Sequence, residues 1–249
     1  MSIQAVIERM VALEQELPAD DLRRHFHAVY LRTTRAVAAE LDKAGFADPD
    51  WVERWDVVFA DLYVDALQAA LDGGAPPGPW AIAFAAAADS RSLPPLRHVL
   101  LGLNAHINYD LPQALIAVIT SEDFDTPATV ERRERDHRHI DEVLTSRVAA
   151  EDAELAALGR TWTDRLLAPL NQLGTKRFLA EARRKVWQNA RDLDQARRDG
   201  PAAYAARLAT LEELSAKRVA DLRAPGQVLL KLAIKGFGVR LLPESPGSR

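Results

Sequence analysis

The stretch Leu96-Arg-His-Val-Leu-Leu-Gly-Leu-Asn-Ala-His-Ile-Asn-Tyr-Asp-Leu-Pro112 decides how the rest of this 249-residue chain is read. Unrolled at 100° per residue, Leu96, Leu100, Leu103, Ile107 and Leu111 fall within about 80° of arc, the mark of a helix. His98, Gly102, His106 and Tyr109 share a second face, and Arg97, Asn104 and Asn108 a third. A surface helix would show one apolar and one charged face. This one is mixed all round and has no lysine or acidic residue before Asp110, so it reads as the central, buried helix of the fold. Each polar group buried there without a partner costs about 1–3 kcal/mol. The fold must either satisfy these side chains internally or gather them around a site.

Asp110 has two readings. Pro112 cannot donate a backbone hydrogen bond, so the helix is expected to end or kink near Asn108. Asp110 would then be the N-cap of a fresh helix, with Gln113 closing a capping-box-like pair. Alternatively it is a functional carboxylate one turn after His106.

The pattern from His98 to Pro112 resembles the signature of a bacterial all-helical family catalogued only as a domain of unknown function. Looser similarities are the Trp51-to-Tyr63 helix, Pro79-Trp80 with the alanine-rich run after it, and Arg184-x-x-Trp187-x-x-Ala190. The resemblance spans most of Arg24 to Leu193. It implies a helical fold and a polar pocket around His98, Asn104, His106 and Asp110, and it carries no established activity.

Composition narrows the classes. Hydrophobic residues make up 48% of the chain and charged residues 27%, the balance of an ordinary globular protein. The net charge of −4 argues against a nucleic-acid partner, which calls for a basic footprint. There is no cysteine, which removes disulfides, thiolate chemistry, Cys-ligated zinc and iron–sulfur clusters. Met1 to Met10 contains Glu8 and Arg9 and lacks a signal-peptide core. No run of about 18 apolar residues exists to span a membrane. The expectation is a cytoplasmic protein.

Along the chain, Ile3 to Leu17 has helical spacing, and Asp20 or Asp21 is expected to cap a long helix reaching Gly45. Phe26, His27, Tyr30 and Leu31 face inward on it, with His25 projecting elsewhere. Asp48-Pro49-Asp50 opens a helix whose buried face carries Trp51, Trp55, Phe59 and Tyr63. Asp61 and Asp65 lie opposite that face and read as solvated. Asp56, near the apolar edge, is the better carboxylate candidate there. A glycine- and proline-rich loop precedes the alanine-rich helix from Trp80 to Asp89. Thr126 to Gly159 reads as one long helix with Val130, Arg133, His137, Ile140, Asp141, Leu144 and Val148 on the inward arc. Arg133, His137 and Asp141 interrupt an apolar stripe at four-residue spacing. They read either as a site, with Asp141 orienting His137 or sharing a metal with it, or as an interior ladder joining helices. Further helices are expected at Thr161 to Leu173, Arg177 to Arg198 and Tyr204 to Leu222. Gln227 to Leu242 is apolar, interrupted by Gly236 and Gly238, and reads as a docked tail, a lid or a dimer contact.

These readings combine into an all-α chain, a single compact domain of about eight to ten helices around a central buried one. Residues 1–223 form the domain and 224–249 a tail docked on it. The expected function is an enzyme with a buried His/Asp/Asn pocket, with or without a divalent metal. It would act on a small apolar or partly apolar substrate by acid/base chemistry: hydrolysis, isomerisation or cyclisation. The alternative is a non-catalytic small-molecule-binding or scaffold protein. His106, His137, Asp141 and Asp110 are the catalytic candidates, with His106 and His137 facing one cavity. His98, Asn104, Tyr109, His27, Tyr63 and Arg133 are the substrate-binding candidates. No Gly-rich dinucleotide loop, phosphate loop, Gly-x-Ser-x-Gly or His-Glu-x-x-His occurs, so no nucleotide cofactor is expected.

Overall fold

A computed structural model describes residues 1–43, 45–89, 93–157, 175–224, 226, 232 and 236–242, with side chains of 141, 144–157 and 175–180 excepted. It is all-helical, 81% of it helix, with no strand among the described residues. Proline and polar caps set the boundaries. Ser2 caps α1 (Ile3–Glu16) by accepting from the Ala5 N–H, and Asp48 caps α3 (Pro49–Leu71) by accepting from the Trp51 N–H at 3.1 Å. Proline occupies the first turn of α3, of α4 (Gly78–Ala88), of α5 (Pro95–Ala105) and of α6 (Leu111–Val118), where its missing N–H costs nothing. α2 (Arg24–Leu41) starts without a side-chain cap: Asp21 instead accepts from the Arg23 backbone N–H at 2.8 Å and pairs with its guanidinium. The short α7 (Ser121–Asp125) carries a full capping box between Thr120 and Asp123. The long α8 (Pro127–Ala157), α9 (Thr175–Asp199) and α10 (Pro201–Arg223) complete the described helices. The expected helix from Thr161 to Leu173 lies outside the described residues.

The quoted stretch is the axis of the domain. α5 continues through a π-helical turn (His106–Asp110) into α6, and this rod touches α2, α3, α4, α9 and α10. The turn replaces the expected break at Asn108. The Leu111 N–H reaches back to the His106 carbonyl, one residue further than in an α-helix. That wider turn carries the chain past Pro112 without ending the helix. Asp110 is in helical geometry and makes no cap bond, so the N-cap reading fails. Gln113 likewise does not close a capping box: its side-chain amide donates to the Tyr109 carbonyl at 2.8 Å, taking a carbonyl beside the proline.

Asp61 and Asp65 pair with Arg9 of α1 on the outer side of α3. The alanines of α4 let it lie along α10, where the Glu212 carboxylate accepts from the Gly78 N–H at 2.7 Å, at the positive end of the helix. Residues 236–242 are not helical and lie against α9 and the π turn.

Candidate active site around His106

Four elements deliver an aromatic enclosure. Trp55, Phe59 and Tyr63 recur every fourth residue on α3, Phe26 and Tyr30 do so on α2, Trp80 comes from α4, and the π turn supplies His106 and Asp110. Gly102 allows the approach. A Cβ at this position would sit 2.4 Å from Phe26 Cγ, so α5 can press on α2 only with glycine there. His106 then lies face to face on Phe59, centroids 3.6 Å apart and 6° from parallel. It meets Tyr30 edge-on at 4.4 Å, with Phe26, Tyr63 and Trp80 about it at 6.0, 6.0 and 5.9 Å.

Within this enclosure His106 Nδ1 is 2.8 Å from Asp110 Oδ2, and the Trp80 indole donates to the same oxygen at 2.9 Å. Imidazole and carboxylate are 2% and 1% exposed, so both are essentially out of water. Burial pushes the Asp110 carboxyl well above its ordinary range, partly opposed by the Trp80 hydrogen bond, and pushes the His106 imidazole well below. With Asp110 ionised, His106 Nδ1–H donates to it and Nε2 is an acceptor. One added proton, wherever the pair shares it, leaves a hydrogen on Nε2 and makes it a donor. Asp110 thus fixes the ring so that its outer nitrogen exchanges the proton.

Among the described residues that outer nitrogen has no hydrogen-bond partner, and neither has the Tyr30 hydroxyl nor Asp56 Oδ2. The Thr34 hydroxyl donates to the Tyr30 carbonyl at 3.1 Å and lies near the Tyr30 phenol, which it slightly favours in the ionised form. Burial lifts the Asp56 carboxyl to about 7. Burial together with the charges of Asp56 and Asp110 pushes the Tyr30 phenol far up, so it stays protonated. The His106 imidazole and the Tyr30 phenol thus share the enclosure, and the Asp56 carboxyl is close enough for its charge to act on that phenol. Asp56 was legible as the best carboxylate of its helix. Phe59 read in the sequence as core or pocket wall, Tyr30 as an inward-facing residue, and Trp80 only as part of the resemblance.

The remaining candidates disperse. His27 and Tyr63 bond each other at 2.9 Å, and the second His27 nitrogen is 2.8 Å from the Met10 carbonyl, so His27 is satisfied within the core. His98 stacks on His25 at 6.1 Å, so His25 points toward the motif rather than away. Asn104 donates to the Leu100 carbonyl at 3.0 Å and accepts from Asn108 at 3.1 Å. The Tyr109 hydroxyl donates to Glu212 at 3.4 Å, toward α10. Arg133 pairs with Asp48 and stands 4.7 Å over the Trp51 ring. Asp136, which the sequence reading did not single out, accepts from the Ala47 and Asp48 N–H groups at 2.7 and 3.0 Å. Together they pin α8 to the start of α3.

His137 does not join His106. Its Nδ1 accepts from the Trp187 indole at 2.8 Å, its ring meets Trp55 at 4.9 Å, and burial lowers it to about 3. Trp55 is stacked in turn on Phe59, against which His106 lies, so the imidazoles occupy separate surroundings linked by a run of rings. The Asp141 side chain, expected to orient His137, lies outside the described residues. The interior-ladder alternative fits the Arg133 and His137 contacts.

Among the described residues no three histidine or acidic side chains converge as metal ligands. Nor is any helix there long and apolar enough to cross a membrane. A 700 Å³ cleft lies between α4, α5 and α10, bordered by Arg97 and Arg223, and a 470 Å³ cleft between α1 and α2. Neither is lined by the His106 enclosure.

Fold and site together define an all-helical protein with an Asp-oriented histidine in an aromatic enclosure. The chain belongs to the DUF5995 family of unknown function, whose sequence pattern matches residues 3–225. No curated protein and no solved structure matches it.

Proposed function

We propose that the protein is an enzyme in which the His106–Asp110 pair performs acid/base chemistry on a small, partly apolar molecule. The supporting observation is the unpartnered Nε2 of a carboxylate-oriented histidine set among aromatic rings, one of which is the Tyr30 phenol, whose hydroxyl is unpartnered too. An unpartnered buried polar atom costs about 1–3 kcal/mol, and a substrate offering matching groups would offset that cost. The neutral phenol of Tyr30 suits stabilising a developing oxyanion, and His106 Nε2 suits moving a proton. Hydrolysis, isomerisation and cyclisation all use this pairing. The proposal places the protein in the cytoplasm with a small-molecule partner and no nucleic acid.

A second reading, a non-catalytic binder, draws on the two clefts, both of which lie away from His106. The test compares wild type with His106→Asn, which keeps a donor toward Asp110 and removes Nε2. Native mass spectrometry reads molecules retained on purification, and incubation with a pooled metabolite extract reads conversion. Conversion by wild type alone supports the enzyme. Retention without conversion supports the binder. Conversion unchanged by His106→Asn, or no conversion by either protein, overturns the enzyme reading, and no molecule retained on either protein overturns the binder.

A further inference from the structure

Side chains of α9, α10 and the π turn reach the backbone of the segment Gly236-Phe-Gly-Val-Arg-Leu-Leu242. Asn108 Nδ2 donates to the Phe237 carbonyl at 3.2 Å, and the Val239 N–H donates back to Asn108 Oδ1 at 3.0 Å. Asn189 repeats the arrangement two residues on. Its Nδ2 donates to the Val239 carbonyl at 3.1 Å, and its Oδ1 accepts from the Leu241 N–H at 2.9 Å. Each asparagine thus bonds the carbonyl of one residue and the N–H of the residue two further along. That is the pattern by which one residue of a parallel strand binds its neighbour. Lys185 donates to the Gly238 carbonyl at 2.9 Å, Glu181 accepts from the Phe237 N–H at 3.3 Å, and Arg207 donates to the Leu242 carbonyl at 2.6 Å.

Such bonds read an extended backbone without regard to its side chains. Selectivity comes from elsewhere. Phe237 and Leu241, four residues apart, are 1% and 0% exposed. Between them Gly238 is squeezed: a Cβ there would lie 2.7 Å from Lys185 Cδ. Polar side chains aimed at a main chain, with pockets for alternate residues, make up the usual apparatus of peptide recognition. The groove residues Asn108, Glu181, Lys185, Asn189 and Arg207 all fall inside the family match, which ends at residue 225, whereas the segment they hold lies beyond it.

We propose that the face made by α9 and the π turn is a binding site for an extended peptide with a large apolar residue, a small residue next to it, and a second large apolar residue four positions on. Residues 237–241 are its resident ligand, held in cis. The site is independent of any chemistry at His106.

The probe is a labelled synthetic peptide with the sequence of residues 236–242, titrated into the full-length chain. Phe237→Ala with Leu241→Ala removes both anchors of the cis segment and frees the groove. This variant should bind the peptide saturably and about ten-fold or more tighter than wild type, because a tethered competitor acts at millimolar effective concentration. Adding Asn189→Ala should weaken binding about ten-fold, and a peptide with both apolar residues changed to alanine should not bind. Hydrogen exchange at the Val239 and Leu241 amides reports release of the segment. Release without peptide binding overturns the proposal, as does equal binding to the variants with and without Asn189. Continued protection in the double variant overturns the anchor assignment. Wild type supplies a measurement that needs no variant: millimolar peptide should speed exchange at Val239 and Leu241, and unchanged exchange overturns the proposal.

Discussion

Replacing Asp56 by asparagine removes an ionisable group from the enclosure with little change of shape. In the folded chain burial lifts this carboxyl from 3.8 to about 7. At 1.36 kcal/mol per pH unit, that gap amounts to about 4 kcal/mol lost to the wild type once the pH exceeds the folded value. The sign follows from counting protons. Between about pH 4 and pH 7 the folded chain keeps a proton on Asp56 that the unfolded chain has released, so raising the pH favours unfolding. Below both values the two states are protonated alike and the contribution vanishes. Asparagine carries no such dependence. The unfolding free energy of Asp56→Asn minus that of wild type should therefore rise with pH, by up to about 1.4 kcal/mol per unit, and level off above about pH 7. An unpartnered buried amide adds an offset of about 1–3 kcal/mol that is the same at every pH, so the slope carries the test. Urea unfolding of both proteins at about pH 4.5, 5.5, 6.5 and 7.5 gives it. Parallel stability curves would refute the assignment of Asp56 as a buried acid that titrates near neutrality.

Asp110→Ala should cost about 2–6 kcal/mol, since it strips the acceptor from both the Trp80 indole and His106 at about 1–3 kcal/mol each; Asp110→Asn keeps an oxygen for both and should hold most of that stability in the same urea assay. If Asn proves as damaging as Ala, the charge rather than the hydrogen bonds holds the turn. Gly102→Ala should lose about 1–3 kcal/mol and disturb the ring-current shifts of His106, because the new methyl collides with Phe26; an unchanged melting temperature would show that α2 yields freely. Trp187→Phe should cost about 1–3 kcal/mol by leaving His137 Nδ1 without its donor. It should leave any ligand retention that depends on His106 intact, and loss of that retention would restore a shared site for the two histidines.

The helical plan was legible because its signals are local. Apolar arcs at helical spacing gave the buried faces of α1, α2 and α3, and Pro49, Pro79, Pro127 and Pro201 mark helix starts by chemistry confined to one turn. The His106–Asp110 pairing was legible for the same reason, since a four-residue spacing puts both on one side of a helix. What was not legible is long-range. Nothing near Trp80 announces that its indole binds Asp110, thirty residues on. Arg133 and His137 interrupt an apolar arc just as catalytic residues would, yet their partners Asp48, Trp51 and Trp187 come from other helices and tie the fold together. The π turn was invisible for another reason. Reading the rod at a constant 100° per residue assumes an unbroken α-helical ladder, and an inserted residue leaves every angle beyond it wrong. Hence Tyr109 was placed beside His106 although it turns toward Glu212, and Asp110 was offered as a cap because Pro112 was expected to end the helix that the π turn carries through.

That turn also explains how so polar a stretch can sit at the centre of the domain. Asn104 and Asn108 spend their amides on the rod's own backbone, on each other and on the segment after Gly236. Tyr109 has Glu212, and Asp110 has Trp80 and His106. Within the turn itself, the buried side-chain atom left without a partner is Nε2 of His106. A turn built for packing alone would be served by a leucine at 106, which would fill the space on Phe59 at no desolvation cost. A turn built to bind its neighbours would use both nitrogens of the ring, as His27 does. His106 does neither: one nitrogen is fixed by a buried carboxylate and the other is kept out of water and unspent. Unpartnered buried polar groups of this kind are found where strain, chemistry or a bridging water or ion retains them, and the Tyr30 hydroxyl, the Asp56 carboxyl, the Trp55 indole and both His98 ring nitrogens carry the same mark.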